Sequence, residues 1–165
     1  MEYEFTLDAF IGYMMVQSNV NVQIKQGVIL QLWRYLMKFN SLIPELSVSD
    51  IERTKKFYID ILGFKIEYER PEDLFMFVSK DDCQLMFEQV NGNWNVGELV
   101  YPFGRGINLE MTVLDVDSLY RRVLENNIPV FREMKISEYR ENDSTIIQKE
   151  FLIQDPDGYL LRFTD

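Results

Sequence analysis

Two stretches of this chain lie over one another without a gap. "PELSVSDIERTKKFYIDILGFKI" (44–66) matches "LEMTVLDVDSLYRRVLENNIPVF" (109–131) at a shift of 65 residues. Glu45 meets Glu110, Val48 meets Val113, Asp50 meets Asp115 and Ile51 meets Val116. Further on, "DDCQLMF" (81–87) lies over "DGYLLRF" (157–163) at a shift of 76, so the second copy is 11 residues longer. Strand, capping aspartate, helix and final alternating strand recur in the same order. A chain built this way folds as a duplication, each copy being one supersecondary unit.

In the first copy "FNSLIPELSV" (39–48) reads as a strand, Asp50 caps the helix "IERTKKFYIDIL", and Gly63 stops it. The strands "KIEYER", "LFMFVS" and "CQLMFEQV" follow, then a loop of Asn, Gly and aromatics, "NGNWNVGELVYPFGRG". The expected fold class is α+β: two tandem βαβββ modules (39–90 and 106–165) forming a curved mixed sheet, within a domain spanning 37–165. Residues 1–36 mix β-branched and polar residues without firm periodicity, although "VILQLWRYLMKF" suits a short helix. They read as an appendage of unknown role.

Each helix covers one face of its sheet, which leaves the other face to line a hollow shared by the two sheets. Strand parity sorts the residues. Leu46, Val48, Leu109, Met111 and Val113 belong to the helix side. Ile43, Glu45, Ser47, Asn108, Glu110 and Thr112 face the hollow, as do Gln84, Met86, Glu88, Leu160, Arg162 and Thr164.

The chain contains no histidine. That excludes Ser-His and Cys-His nucleophile pairs, His-centred acid–base work and every His-containing metal site. The single cysteine, Cys83, allows no internal disulfide and no thiolate cluster, and on its strand reads as a small buried hydrophobe. A formal charge of −10 disfavours nucleic acid and an anionic membrane as partners and suits a cationic or neutral small ligand. No apolar run approaches the roughly 18 residues of a membrane span. The N-terminus shows no basic-then-apolar leader pattern, and the expected location is a reducing cytoplasm. No P-loop is present, and "GRG" at 104–106 is too short for a dinucleotide fingerprint.

"LIPELSVSDIERTKKFYIDILGF", "GRGINLEMTVLDVDSLYRRV" and "FLIQDPDGYLLRF" together resemble the vicinal oxygen chelate superfamily, the glyoxalase/bleomycin-resistance/extradiol-dioxygenase group. The resemblance runs from about Phe39 to the end. It implies paired βαβββ modules, a homodimer, and a ligand cup formed by the sheets. Metal-dependent members carry ligands, mostly His and Glu, at four equivalent strand positions. Here those positions fall on Ile43, Met86, Asn108 and Arg162, none of them a ligand for a divalent transition metal and one of them a cation. Glyoxalase and dioxygenase chemistry, which needs the metal, is therefore disfavoured, and no cofactor is expected. The sequence looks closer to the metal-free branch, including through "YPFGRGIN". That resemblance implies sequestration of an antibiotic-like molecule, with aromatic rings gripping flat groups and acidic residues meeting cationic ones.

Arg162 reads as either half of an ion pair with Glu110, Glu45 or Glu88, or a hook for a ligand anion. Glu45 and Glu110 are candidate general bases or cation binders, or water-facing rim residues. Trp94, Tyr101 and Phe103 in the inter-module loop are candidates for stacking on a planar ligand, with dimer packing as the alternative, and Tyr139 and Arg140 are weaker ones. With Gln84, Met86, Glu88 and Asn108 they complete the expected ligand-binding set. Three functions follow: a metal-free binder of a small, partly aromatic molecule, cationic or neutral; a lyase or isomerase using Glu45 or Glu110 as base with Arg162 at an oxyanion; or a degenerate module that acts as an interaction protein through residues 1–36 or its dimer surface.

Overall fold

A computed structural model describes residues 39–165. The expected appendage at 1–36 falls outside the described residues. Module one comprises β1 (Glu45–Val48), α1 (Ile51–Lys55) with a π-helical continuation Lys56–Ile61, β2 (Lys65–Arg70), a 3-10 turn Pro71–Asp73, β3 (Phe75–Lys80) and β4 (Cys83–Gln89). Module two comprises β5 (Asn108–Thr112), α2 (Val116–Glu125), β6 (Val130–Glu141), β7 (Ser144–Gln154) and β8 (Leu160–Thr164). These are the two βαβββ units expected, each a four-stranded mixed sheet, in the orders β1-β4-β3-β2 and β5-β8-β7-β6. In each sheet the first strand runs parallel to the last.

The duplication extends to register. Glu45 lies opposite Met86 and Glu110 opposite Arg162, the pairing that the two sequence shifts require. Both helices start on their aspartates: Asp50 Oδ1 accepts from the Glu52 and Arg53 N–H groups at 3.0 Å, and Asp115 Oδ1 from Ser118 N–H at 2.9 Å. The first strand is shorter than expected because Pro44 has no N–H to give to a ladder, although its carbonyl still accepts from Met86 N–H at 2.9 Å. The second half of the first helix widens so that Leu62 N–H donates to Phe57 C=O, five residues back, at 3.0 Å. The adjacent residues Phe57 and Tyr58 are both buried there.

One hydrophobic core serves both modules. Val48, Tyr58 and Phe87 of the first meet Val123, Phe151, Leu161 and Phe163 of the second, all fully buried. Polar contacts lock the same junction. Tyr58 donates to Asp155 at 3.0 Å, Ser49 to Asp157 at 2.5 Å, Arg53 Nη2 to Asp157 at 2.9 Å, and Tyr159 to the Ser47 carbonyl at 3.0 Å. The modules thus join through their helix sides. Their open faces carry separate clusters: the partners given to Arg162 belong to module two and those of Glu88 to the loop that directly follows module one. The sequence reading placed these groups together in one hollow, since parity assigns a face and not the turn of one sheet against another.

The Asp155-Pro156-Asp157-Gly158 turn seats this junction. Gly158 has φ +88, and a Cβ there would stand 2.5 Å from Pro102 Cβ and 2.7 Å from its Cα. Gly158→Ala is expected to cost about 2–3 kcal/mol from backbone strain and overpacking, read as a lower urea midpoint at unchanged slope. A midpoint equal to that of the parent would refute so tight an approach.

Candidate functional site

The open face of module one carries two cross-strand rows. Tyr68, Phe77, Met86 and Glu45 lie side by side in one; Arg70, Phe75, Glu88 and Ser47 in the other. The rings form a floor. Tyr68 stacks on Phe75 with centroids 5.8 Å apart and tilts over Phe77 at 5.4 Å. The Arg70 guanidinium sits 3.7 Å from the Phe75 centroid.

Glu88 is buried on this floor. It accepts from Trp94 Nε1 at 3.0 Å and from Asn91 Nδ2. These bonds, that from Trp94 foremost, hold its carboxyl below the usual carboxylate range. Glu45 is shifted the other way: loss of water around its carboxyl and then the hydrogen bond and charge of Glu88 raise it. The two therefore form an unequal dyad, with Glu88 the firmly ionised member and Glu45 the one that takes a proton more readily. Trp94 spends its N–H on Glu88 and leaves its residue 63% exposed, so the indole is anchored yet open to a flat ligand. Beside the dyad lies a cleft of about 440 Å³ lined by Arg70, Glu72, Asp73, Leu74, Glu88, Gln89, Val90, Asn91 and Asn93.

Module two answers the question about Arg162. Its Nε stands 2.5 Å from Glu150 Oε2, a charge contact without hydrogen-bond alignment. Nη1 lies 3.3 Å from Glu110 Oε2, and Nη2 donates to Gln148 Oε1 at 3.1 Å. Tyr139 packs its ring 5.1 Å from the guanidinium carbon. Glu150 also accepts from Ser137 at 2.6 Å and Tyr139 at 2.8 Å, with Lys135 Nζ at 3.5 Å. Burial pushes its carboxyl up, but the two hydroxyls and Arg162 outweigh that and hold it at about 2. Each of the three Arg162 nitrogens thus faces a partner within module two.

The remaining candidates disperse. Gln84 is held by Asn40, whose N–H donates to its Oε1 at 2.7 Å. Tyr101 lines a different cleft, of about 520 Å³, at the module junction with Phe57, Phe131, Pro156, Gln154 and Asp155. Phe103 packs edge-on against Tyr159, centroids 6.0 Å apart, at the margin of the core. Asn108 is exposed at the start of β5. The junction cleft is the larger of the two, yet its carboxylate is already consumed: Asp155 accepts from Asp157 N–H, Tyr159 N–H and Tyr58 O–H. On module one the Trp94 ring is 63% exposed beside a cleft lined by Arg70 and Glu88, so charge of both signs and an open ring lie together there, and it is the better candidate.

The four positions at which the resemblance expects metal ligands carry side chains that do not suit a divalent metal. Ile43 and Met86 offer no hard donor, Asn108 only a neutral amide, and Arg162 places a cation paired to the two nearest carboxylates. Among the described residues no three His, Cys, Asp or Glu side chains converge.

Sequence reasoning missed Glu150, Arg70 and the ring floor. Alternation along "QKEFLIQ" places Gln148 and Glu150 on the face of Arg162 and was the available signal.

A family model described as Glyoxalase/Bleomycin resistance protein/Dioxygenase superfamily matches residues 38–163. Among solved structures, a glyoxalase/bleomycin resistance protein/dioxygenase superfamily member from Vibrio splendidus 12B01 is 34% identical over 73% of this chain and 93% of that one, with a TM-score of 0.32. TioX from Micromonospora sp. ML1 is 16% identical over 76% of this chain and 98% of that one, with a TM-score of 0.59. A glyoxalase/bleomycin resistance protein/dioxygenase from Alicyclobacillus acidocaldarius is 21% identical over 76% and 89%, with a TM-score of 0.54. The latter two share the fold. No curated protein matches the chain.

Proposed function

Because the chain belongs to the glyoxalase/bleomycin resistance protein/dioxygenase superfamily, we propose that it is a metal-free, cytoplasmic, homodimeric member. Its role on this reading is to bind and sequester a small, partly aromatic, cationic molecule on the open face of module one. The observation that carries this reading is the Glu45–Glu88 dyad with an exposed Trp94 anchored to it through the indole N–H. An ionised carboxylate whose indole partner also offers a ring face presents charge and stacking to the same ligand. Each aromatic or cation–π contact is worth about 0.5–2 kcal/mol. The formal charge of −10 draws cations toward the surface as a whole. The lyase or isomerase reading needs Arg162 as a free oxyanion donor, and the commitment of its three nitrogens weighs against it.

The test uses tryptophan fluorescence in a Trp33→Phe background, where Trp94 is the sole emitter. Bleomycin and an N-methylquinolinium salt serve as probes. Saturable quenching is expected with at least one of them, weakened about tenfold by Glu88→Gln. By thermal melting, Trp94→Ala should lose the stabilisation of about 2.7 kcal/mol that a hundredfold excess over Kd gives the parent. No response to either probe, or a response that only zinc or nickel restores, would overturn the binder reading. Sedimentation tests the dimer.

A further inference from the structure

Arg70 shares the cleft with Glu88 and had no part in the reading above. It is the end residue of β2, opposite Phe75, which is opposite Glu88 on β4. Guanidinium and carboxylate anchors thus flank one ring across adjacent strands, about 10 Å apart at the backbone. Both line the same cleft of about 440 Å³. An arginine on an exposed strand end normally wanders in water. This one is held twice, its plane 3.7 Å from the Phe75 centroid and its Nε–H donating to Asp73 at 2.9 Å. A guanidinium carries five N–H donors. Asp73 takes one and the Tyr68 hydroxyl bears on the group as well, which leaves donors over.

The surface ion pair with Asp73 explains little of this arrangement, because such exposed pairs contribute little to stability. A pre-placed fork with donors to spare suits a planar anion, which it meets through two parallel bonds. Glu72 and Asp73 on the same rim are acidic and favour only the cationic end of a ligand. A purely anionic molecule is therefore a poor occupant, and a purely cationic one leaves Arg70 unused.

We propose that the ligand is a zwitterion of the amino-acid or short-peptide type, its ammonium on the Glu45–Glu88 dyad, its carboxylate on Arg70 and its aromatic body against Trp94. This rests on the binder reading above and adds the anionic half of the ligand. Three probes with one body separate the two claims: the dipeptide Gly-Trp, its C-terminal amide, and its N-acetyl derivative, titrated calorimetrically into the full chain. Gly-Trp is expected to bind at least tenfold tighter than the amide, and N-acetyl-Gly-Trp weakest. Arg70→Gln should bring Gly-Trp down to the level of the amide and leave the amide unchanged, with Arg70→Lys in between because the fork is lost and the charge kept. Equal binding of dipeptide and amide by the parent chain, or a ratio that Arg70→Gln does not change, overturns the zwitterion and leaves the cation reading standing. Tighter binding of the N-acetyl form than of the amide, or no binding of either ammonium-bearing probe, overturns both. Urea midpoints of the variants verify that each is folded, and the parent's own three-probe ratio decides the matter if Arg70→Gln is not.

Discussion

Glu150→Ala is expected to destabilise the fold by about 3–5 kcal/mol, because it removes the deep partner of a largely buried cation. The Glu150 side chain is 1% exposed and that of Arg162 19%. The loss falls toward the lower figure, since Glu110 at 3.3 Å and Gln148 at 3.1 Å stay with the guanidinium. If the pair is structural, an apolar replacement of both members suits the site better than either single change. The double variant Glu150→Leu, Arg162→Met should then recover most of what Glu150→Ala loses. Urea unfolding at pH 7 measures all three. The sign of the pH effect follows from the depressed carboxyl: the contribution of Glu150 is full above its ordinary 4.5 and lost as pH falls through about 2. A Glu150→Ala protein within 1 kcal/mol of the parent, or a double variant no better than the single, would show that Arg162 is solvated and free for a ligand after all.

With Arg162 paired inside its own module, the proposed recognition groups all lie on module one and the loop after it. Glu88 and Arg70 stand two strands apart there, and Trp94 donates its ring N–H to the acid. This asymmetry between two copies of one motif is the main functional content of the structure. The duplicated positions Met86 and Arg162 occupy the same register, yet one side chain is apolar and the other a cation paired with Glu110 and Glu150.

The repeat made much of this legible. Two shifts in sequence specified register in both sheets, and the aspartates at 50 and 115 marked where each helix begins. Arg162 could be assigned to the open face from alternation alone. The same alternation assigns Glu150 to that face, but the signal is weakened by burial on both sides of the sheet just beyond it. Phe151, Leu152 and Ile153 are all buried, so the period-2 signal that would have exposed Glu150 fades into a continuous apolar run. Phe75 to Val78 are buried in the same way, which concealed the ring floor. The loop aromatics failed for another reason. Trp94, Tyr101 and Phe103 look alike in sequence, but one bonds Glu88, one lines the junction cleft and one packs on Tyr159. Turns made at a distance decide which is which, and no local pattern records them.

The junction supplies the second large effect, one that runs opposite to Glu150 in pH. Asp155 is 4% exposed. Its Oδ1 accepts from Asp157 N–H at 3.0 Å and Tyr159 N–H at 2.9 Å, and its Oδ2 from Tyr58 at 3.0 Å. Asp155→Ala at pH 4 orphans three buried donors at about 1–3 kcal/mol each, and a total loss near the middle of the summed range, about 6 kcal/mol, is expected. Burial, with the charge of Asp157, outweighs those bonds and lifts the carboxyl from an ordinary 3.8 to about 6. The folded state therefore holds the proton more tightly than the unfolded chain does. The resulting stabilisation is full below about pH 4 and is lost as pH rises through about 6, roughly 3 kcal/mol for a shift of this size. Asp155→Asn keeps an oxygen for the two backbone donors and cannot ionise. It should match the parent near pH 4 and gain on it steadily toward pH 7. Parallel stability curves for parent and Asp155→Asn between pH 4 and pH 7 would mean that the three hydrogen bonds, not burial, govern this carboxyl.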